Sequence, residues 1–152
     1  MIITYTIEGV HSWKRDKVTA RGGHARTYRP DGDAEAKQAH ANAFVDAECA
    51  MLLSDDAPSQ DDYSPKHQWA VHVIYSPANE RAHDTDRVLT LVLDALTGVV
   101  WHDDSDKFVT RSSCEVVRGD KRFPAGTTTV TIERVAGPYV AANKSRTKKV
   151  AS

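Results

Sequence analysis

The chain has 152 residues, with 20 Lys or Arg against 21 Asp or Glu, so its formal net charge is −1 at pH 7. This length suggests a single domain with one hydrophobic core. A near-zero net charge identifies no partner, so any electrostatic signal must lie in how the charges are distributed. The sequence has no apolar run of about 18 residues, which excludes a membrane-spanning helix of the usual kind.

The two cysteines indicate neither a disulfide nor a zinc site. Cys49 and Cys114 lie in apolar or strand-like stretches, and neither belongs to a CxxC pair. We therefore expect reduced thiols and a cytoplasmic location. The first ten residues, MIITYTIEGV, have a strand pattern and lack the charged and apolar regions of a signal peptide.

The first predicted element is a strand over residues 2–8, because IITYTIE is rich in β-branched and aromatic types. A basic stretch, residues 11–31, follows Gly9 and is predicted to be a flexible loop or a loose hairpin. Its basic residues, set against one acid, are Lys14, Arg15, Lys17, Arg21, Arg26 and Arg29. Two interpretations stay open here: a solvated surface loop, or an arm that binds phosphate groups.

A helix is predicted over residues 33–53 from its high helix propensity. Phe44, Ala47 and Met51 have the spacing of a helix face that packs on a sheet, and Ala41, Val45 and Leu52 are assigned to the same stripe. His40 is expected on the surface. The polar residues 54–66, with two prolines, predict a solvated linker.

The next predicted strand covers residues 67–76, where Trp69, Val71, Val73 and Tyr75 alternate on one face. His72, on the other face, is expected to be a histidine paired within the sheet. Residues 107–118 and 127–135 are predicted as two further strands that pair as a hairpin.

The central feature of the sequence is the stretch of residues 83–107, HDTDRVLTLVLDALTGVVWHDDSDK. It contains an apolar helical segment with two basic residues, Arg87 and Lys107, and an excess of acids at both ends. Its six aspartates are Asp84, Asp86, Asp94, Asp103, Asp104 and Asp106. Acids in a first turn can serve as helix cap and dipole partner. The second acidic group favours instead a Mg²⁺ site, because hard cations take carboxylate oxygens.

These elements together predict an α/β (α+β) fold, with the order β-α-β-α-β-β and helices packed on a mixed sheet. Residues 1–135 form the expected domain, and we expect residues 136–152, which contain no acids, to be a basic, disordered tail. The sequence has no GxxxxGK[ST], GxGxxG, HExxH or GxSxG motif. The acidic cluster and the basic arm therefore carry the chemical signal.

The stretch DTDRVLTLVLDALTGVVWHDD resembles the RusA family of Holliday junction resolvases. That family carries D-x-D-N-L-x-K, then an apolar D-A-L with a short turn, then an apolar residue and D-D. The family's metal-binding aspartates fall on Asp84, Asp86 and Asp104. Its early Gly and Lys fall on Gly9 and Lys14, and the order of elements agrees over about residues 2–135.

The resemblance implies a metal-dependent endonuclease that resolves four-way DNA junctions by symmetric phosphodiester hydrolysis in recombination and repair. It implies Mg²⁺ as cofactor, with Mn²⁺ as a substitute, held by Asp84, Asp86 and Asp104. It also implies a homodimer without membrane attachment, acting in the cytoplasm of a bacterial cell or a phage-infected host. The arm residues Lys14, Arg15, Lys17, Arg21, Arg26 and Arg29 would contact DNA.

Two positions depart from the family pattern. Arg87 stands where the family has Asn, and Thr90 stands where the family has a Lys that acts in catalysis. Arg87 is therefore assigned to the catalytic set, as the cation that replaces the missing Lys. The alternative is a structure-selective DNA-binding dimer with weak or lost cleavage.

Overall fold

The computed structural model describes residues 1–11, 17–21, 24–28, 32–53, 66–82 and 84–140. The chain forms a single-domain α+β fold. Its elements are β1 (Ile2–Glu8), β2 (Lys17–Arg21), β3 (His24–Tyr28), α1 (Gly32–Leu52), β4 (Gln68–Ser76), α2 (Thr85–Leu96), β5 (Val109–Val116) and β6 (Thr127–Ala136). The predicted α+β class is confirmed, and the basic arm contains the β2–β3 hairpin.

The main sheet has four strands in the order β1-β6-β4-β5. β6 pairs antiparallel with both β1 and β4, whereas β4 pairs parallel with β5. The parallel pair follows from α2, which crosses over from the end of one strand to the start of the other. The predicted hairpin between the last two strands is wrong, because residues 117–126 carry the chain past β4 to the space beside β1.

The core lies between one face of this sheet and the two helices. On β4, the predicted alternation is confirmed: Trp69, Val71, Val73 and Tyr75 are all buried. α2, the apolar helical segment predicted from the sequence, buries one face through Val88, Leu91, Val92, Ala95 and Leu96. β1 and β6 add Ile3, Tyr5, Ile7, Val130 and Ile132 to the same layer.

The first helix differs from its prediction in which residues it buries. Phe44 is fully buried, but Val45 and Leu52 are about half exposed, at 47% and 49%. His40 is not a surface residue, since only 1% of it is exposed. Its Nδ1 lies 2.8 Å from the hydroxyl of Tyr5, which pairs the helix with β1. The alanine-rich sequence explains the error, because small residues on all sides blur the amphipathic pattern.

The end of α2 is fixed by a turn and by a buried indole. Gly98 adopts a positive φ of 82°, which glycine tolerates without steric cost. The indole nitrogen of Trp101 donates to the carbonyl of Leu93 at 3.2 Å and also lies 3.2 Å from the Thr97 hydroxyl. These bonds attach the buried Trp101 side chain to the last turn of the helix.

Three other predictions, on the cysteines, on membrane-spanning helices and on the linker and tail, are tested by the structure only in part. Cys49 and Cys114 are both free. Among the helices that the structure describes, none is long and apolar enough to cross a membrane. Residues 54–65, and the tail from residue 141 onward, lie outside the described residues, so the linker and tail predictions stay predictions.

Candidate functional site

The first turn of α2 places two carboxylates at the carboxyl end of the parallel strand pair β4–β5. Asp84 is the N-cap, and its Oδ1 accepts a hydrogen bond from the Asp86 backbone N–H at 3.2 Å. Asp86 follows in the first turn, where a negative charge suits the helix dipole. Both side chains are exposed. The capping role considered from the sequence is therefore confirmed for Asp84, and it leaves outward oxygens on both residues.

The field of these carboxylates reaches the neighbouring strands. Burial, with smaller contributions from the charges of Asp86 and then Glu115, raises the pKa of the Cys114 thiol to about 11. Burial also raises the pKa of Tyr75, with Cys114 and Asp84 adding to the effect and Arg118 opposing it. The charges of Asp86 and Asp84 therefore act on both residues, as smaller causes beside burial.

The two departures from the family pattern both have partners within the helix. Arg87 Nε lies 3.4 Å from Asp84 Oδ2, so the guanidinium forms an ion pair with the cap residue. The Thr90 hydroxyl donates to the Asp86 carbonyl at 2.7 Å. Arg87 therefore brings a cation next to the two carboxylates, whereas position 90 presents a neutral hydroxyl that is turned back onto its own helix.

The other predicted aspartates lie elsewhere on or beyond α2. Asp94 forms an ion pair with Lys37 of α1 and so joins the two helices. Asp103 accepts a hydrogen bond from the Ser105 backbone N–H at 2.8 Å, and its bonds to Ser105 lower its pKa. Asp104 and Asp106 are exposed in the same loop before β5.

The two acidic groups are separated by the length of α2. The helix has 12 residues, and at about 1.5 Å per residue it spans roughly 18 Å. Among the described residues, no three His, Cys, Asp or Glu side chains are grouped so that they could hold a metal ion. The structure thus brings Asp84 and Asp86 together and leaves Asp104 at the far end. A single ion shared by all three stays a prediction.

The basic arm is described only in part. Lys17 and Arg21 lie in β2, and Arg26 lies in β3, with Thr19 paired to Arg26 in the antiparallel register. The alternative of a loose hairpin is therefore confirmed for the backbone. Lys14, Arg15 and Arg29 lie outside the described residues.

No protein-family model matches this sequence, and no curated protein is significantly similar to it. The likeness to junction resolvases thus rests on the residues quoted above and on nothing beyond them.

The structure adds one group of residues that the sequence interpretation missed. A cavity of about 280 Å³ opens between the chain after β4 and the chain after β5. Arg118 is among its lining residues, and its Nη2 donates to the Arg81 carbonyl at 3.1 Å. The position of Arg118 could have been predicted from the sequence, because the carboxyl ends of parallel strands meet at one edge of a sheet. Arg118 lies two residues after the end of β5.

Proposed function

We propose that the protein is a Mg²⁺-dependent endonuclease that cuts four-way DNA junctions. The observation that carries the proposal is the pair of exposed carboxylates, Asp84 and Asp86, at the carboxyl end of β4 and β5. Two cations accompany them, Arg87 in the same turn and Arg118 beyond β5. Carboxylates next to arginines suit a site that holds a cation and a phosphate together.

The fit of Mg²⁺ rests on the donor set, because this ion is commonly held by one or two carboxylates, with water and substrate phosphate completing its shell. When bound, Mg²⁺ lowers the pKa of a water and polarises the phosphate. Asp84 and Asp86 supply the protein oxygens. Arg87 lies where its guanidinium can stabilise the charge that develops on the phosphate, which is a task suited to a planar, permanently charged group.

Asp104 is the least supported ligand in this proposal. It follows the other end of α2, a helix that is roughly 18 Å long. We therefore propose Asp84 and Asp86 as the ligands that matter most for cleavage. Asp104→Asn separates the alternatives: a loss as large as that of Asp84→Asn would require Asp104 to approach the same ion in the complex with DNA.

Recognition of the junction is assigned to the arm. Lys and Arg side chains bind backbone phosphates without regard to base sequence, which suits a substrate that is defined by its branched shape. A four-way junction has two-fold symmetry, so symmetric cutting requires two matched sites. A C2 homodimer supplies them.

A second candidate is a junction-binding dimer that cleaves slowly or not at all. The observation that favours it is the Thr90 hydroxyl, which bonds to the Asp86 carbonyl and leaves no cation at that position. Removing one electrostatic donor from such a site costs on the order of 10²–10³ in rate.

The deciding experiment compares cleavage and binding of a synthetic four-way junction and a linear duplex of the same sequence. With Mg²⁺, the wild type should cut the junction at symmetric positions and leave the duplex intact. Asp84→Asn and Asp86→Asn should abolish cutting while keeping or strengthening junction binding, because each removes a ligand and a repulsive charge. Asp106→Asn is the matched control, since Asp106 is also exposed but lies beyond the other end of the helix.

Binding without metal-dependent cleavage would favour the second candidate. Neither binding nor cleavage would overturn both, and cleavage retained in Asp84→Asn and Asp86→Asn would overturn the assignment of the site.

A further inference from the structure

The face of the main sheet turned away from the helices carries a serine, a histidine and a glutamate in contact with one another. Side chains alternate along a strand, so His72 of β4 and both Ser113 and Glu115 of β5 project from this face. The parallel register pairs His72 with Ser113, and Glu115 follows two residues later on the same strand. The sheet therefore holds the three side chains next to one another.

Each ring nitrogen of His72 contacts a different partner. Nδ1 lies 2.5 Å from the Ser113 hydroxyl oxygen, and Nε2 lies 3.3 Å from Glu115 Oε1. The expectation that His72 is a paired histidine of the sheet is thus confirmed. An ionised carboxylate can only accept a hydrogen bond, so Nε2 of the neutral ring carries the hydrogen and Nδ1 is left as an acceptor. The Ser113 hydroxyl therefore donates to Nδ1.

This arrangement of donors and acceptors is the one that nucleophilic catalysis by a hydroxyl requires. A histidine accepts the hydroxyl proton, and a carboxylate on its other nitrogen holds the ring in the tautomer that can do so. Such triads are recognised by their geometry and not by their position in a sequence. The lack of a GxSxG motif therefore does not exclude one here.

A recess of about 300 Å³ lies beside this group and offers a substrate a place to bind. His72, Ser113, Arg111 and Glu133 are among its lining residues. The group is accessible, since 41% of the His72 side chain and 55% of the Glu115 side chain are exposed. A small molecule in the recess can thus reach the Ser113 hydroxyl.

Two opposite charges in the recess define the kind of substrate that fits. Arg111 and Glu133 lie on either side of Ala70, and their Cα atoms are two strand spacings apart, roughly 10 Å. Arg111 precedes Ser113 by two residues on the same strand, so both project from the same face. A guanidinium there can stabilise the negative charge that develops on a carbonyl oxygen. Glu133, across the recess, attracts a cationic group.

We propose that Ser113, His72 and Glu115 form a second active site, which hydrolyses small carboxylic esters that carry a positive charge. Ser113 Oγ bonds to the carbonyl carbon as its proton passes to His72 Nδ1, and the carbonyl electron pair moves onto the oxygen beside Arg111. When that pair returns, the bond to the ester alcohol breaks, and the alcohol takes the proton from Nδ1. Water then attacks acyl-Ser113 and gives a proton to Nδ1, and Ser113 recovers this proton as the acid leaves.

The ester hydrolysis goes beyond the proposed nuclease and does not depend on it. None of its steps uses DNA or a metal ion, so it can be measured with EDTA present. Glu115 is a positioning residue in it, because it acts only through His72. Failure of the ester assay would leave the nuclease proposal standing, and failure of the junction assay would leave the ester hydrolysis standing.

The test is hydrolysis of 4-nitrophenyl acetate by the full chain, followed by the release of 4-nitrophenol. Ser113→Ala and His72→Gln should each lower kcat/KM at least about tenfold. Glu115→Gln should lower kcat and leave KM unchanged, because its amide can donate to Nε2 and so reverse the tautomer, and Glu115→Asp should restore much of the rate. Hydrolysis by Ser113→Ala at the wild-type rate would overturn the proposal, since the imidazole alone would then be the catalyst.

A covalent trap locates the nucleophile. Diisopropyl fluorophosphate reacts with activated serines, and mass spectrometry of the peptides should place its label on Ser113. The adjacent Ser112 is an internal control, because neighbouring side chains of a strand project from opposite faces. A label on Ser112, or an unlabelled Ser113, would contradict the assignment. Circular dichroism checks that every variant folds.

The charge preference is tested with two esters of the same shape, acetylcholine and 3,3-dimethylbutyl acetate, of which only the first is charged. In a pH-stat assay the wild type should show a kcat/KM roughly two- to fivefold higher for acetylcholine, which is the size of effect expected from an exposed charge pair. Glu133→Gln should remove most of this preference. Thr129→Ala, on the same face of the sheet, is the control and should keep it. Equal rates for both esters in the wild type would overturn the assigned substrate class.

Discussion

The buried pair of His40 and Tyr5 makes the stability of this protein sensitive to acid. Burial, with a smaller contribution from His11, lowers the pKa of His40 from 6.5 to about 4. The folded state therefore disfavours the protonated imidazole, which the unfolded chain accepts readily. Between these two pKa values the unfolded state binds more protons, so the free energy of unfolding falls as the pH falls below 6.5. For one such group, the loss is about 2 kcal/mol at pH 5 and about 3 kcal/mol at pH 4.

His40→Gln is the perturbation that isolates this effect. The Gln amide can still hydrogen-bond to the Tyr5 hydroxyl, but it does not titrate. The variant should lose stability at pH 7, because Gln fits the site of a fully buried imidazole less well. Its further loss between pH 7 and pH 5 should be about 2 kcal/mol smaller than that of the wild type.

Urea unfolding at both pH values, followed by circular dichroism, measures these differences. His102→Gln is the matched control, since His102 is exposed and its replacement should leave the wild-type pH dependence in place. Tyr5→Phe removes the hydroxyl that contacts the ring and should retain most of the pH dependence, because burial is the main cause. The same pH dependence in His40→Gln and in the wild type would refute the reasoning.

Three further predictions concern the candidate site. Junction affinity should fall steeply as the salt concentration rises, with a slope of log K against log salt concentration of roughly −0.9 per phosphate neutralised. Changing Lys14, Arg15 and Lys17 to Ala should flatten this slope in gel-shift assays. An unchanged slope would mean that other residues make the phosphate contacts. If Arg87 supplies the catalytic cation, Arg87→Ala should lower the single-turnover cleavage rate by a factor on the order of 10²–10³, and Thr90→Lys should change this rate little. A faster rate in Thr90→Lys would instead show that the wild type lacks the catalytic cation. Cys114 should react slowly with iodoacetamide at pH 7.5, because its pKa is raised to about 11 and the thiolate is the reactive form. The reaction is followed by mass spectrometry in a Cys49→Ser background. Asp86→Asn should make it faster, because the Asp86 charge contributes to the raised pKa.

Local patterns predicted the elements whose signal is periodic. β4 alternates strictly, so it was predicted together with the face that it buries, and the apolar segment that forms α2 was predicted as a helix. The partner of β6 was not predictable in this way. Its pairing with β1 joins residues more than a hundred positions apart, and the Thr128 hydroxyl donates to the Gly9 carbonyl at 2.8 Å to fix that contact. A hairpin between successive strands is only the commonest choice, and here the chain makes another.

The predictions about the candidate site also divide into those that a local sequence pattern allowed and those that it did not. The sequence placed Asp84 and Asp86 at a helix start, because capping residues before an apolar period mark that position. The separation of Asp104 from Asp84 and Asp86 could also have been predicted, because a helix of 12 residues lies between them. The burial of His40 could not have been predicted from a local pattern, because its partner, Tyr5, belongs to a strand 35 positions earlier.

The position of β6 between β1 and β4 has a consequence for the order in which the chain assembles. Among the described strands of the main sheet, β1 is synthesised first and β6 last, yet β6 is the strand with which β1 pairs. During synthesis β4, α2 and β5 can associate as a local unit, while β1 and its buried side chains must wait. A chain released before Thr127 would lack the strand that bridges the two parts. It would expose the free edge of β4 together with the apolar residues of β1, and such exposed edges recruit other chains. Release of incomplete chains should therefore yield aggregates rather than a smaller folded domain.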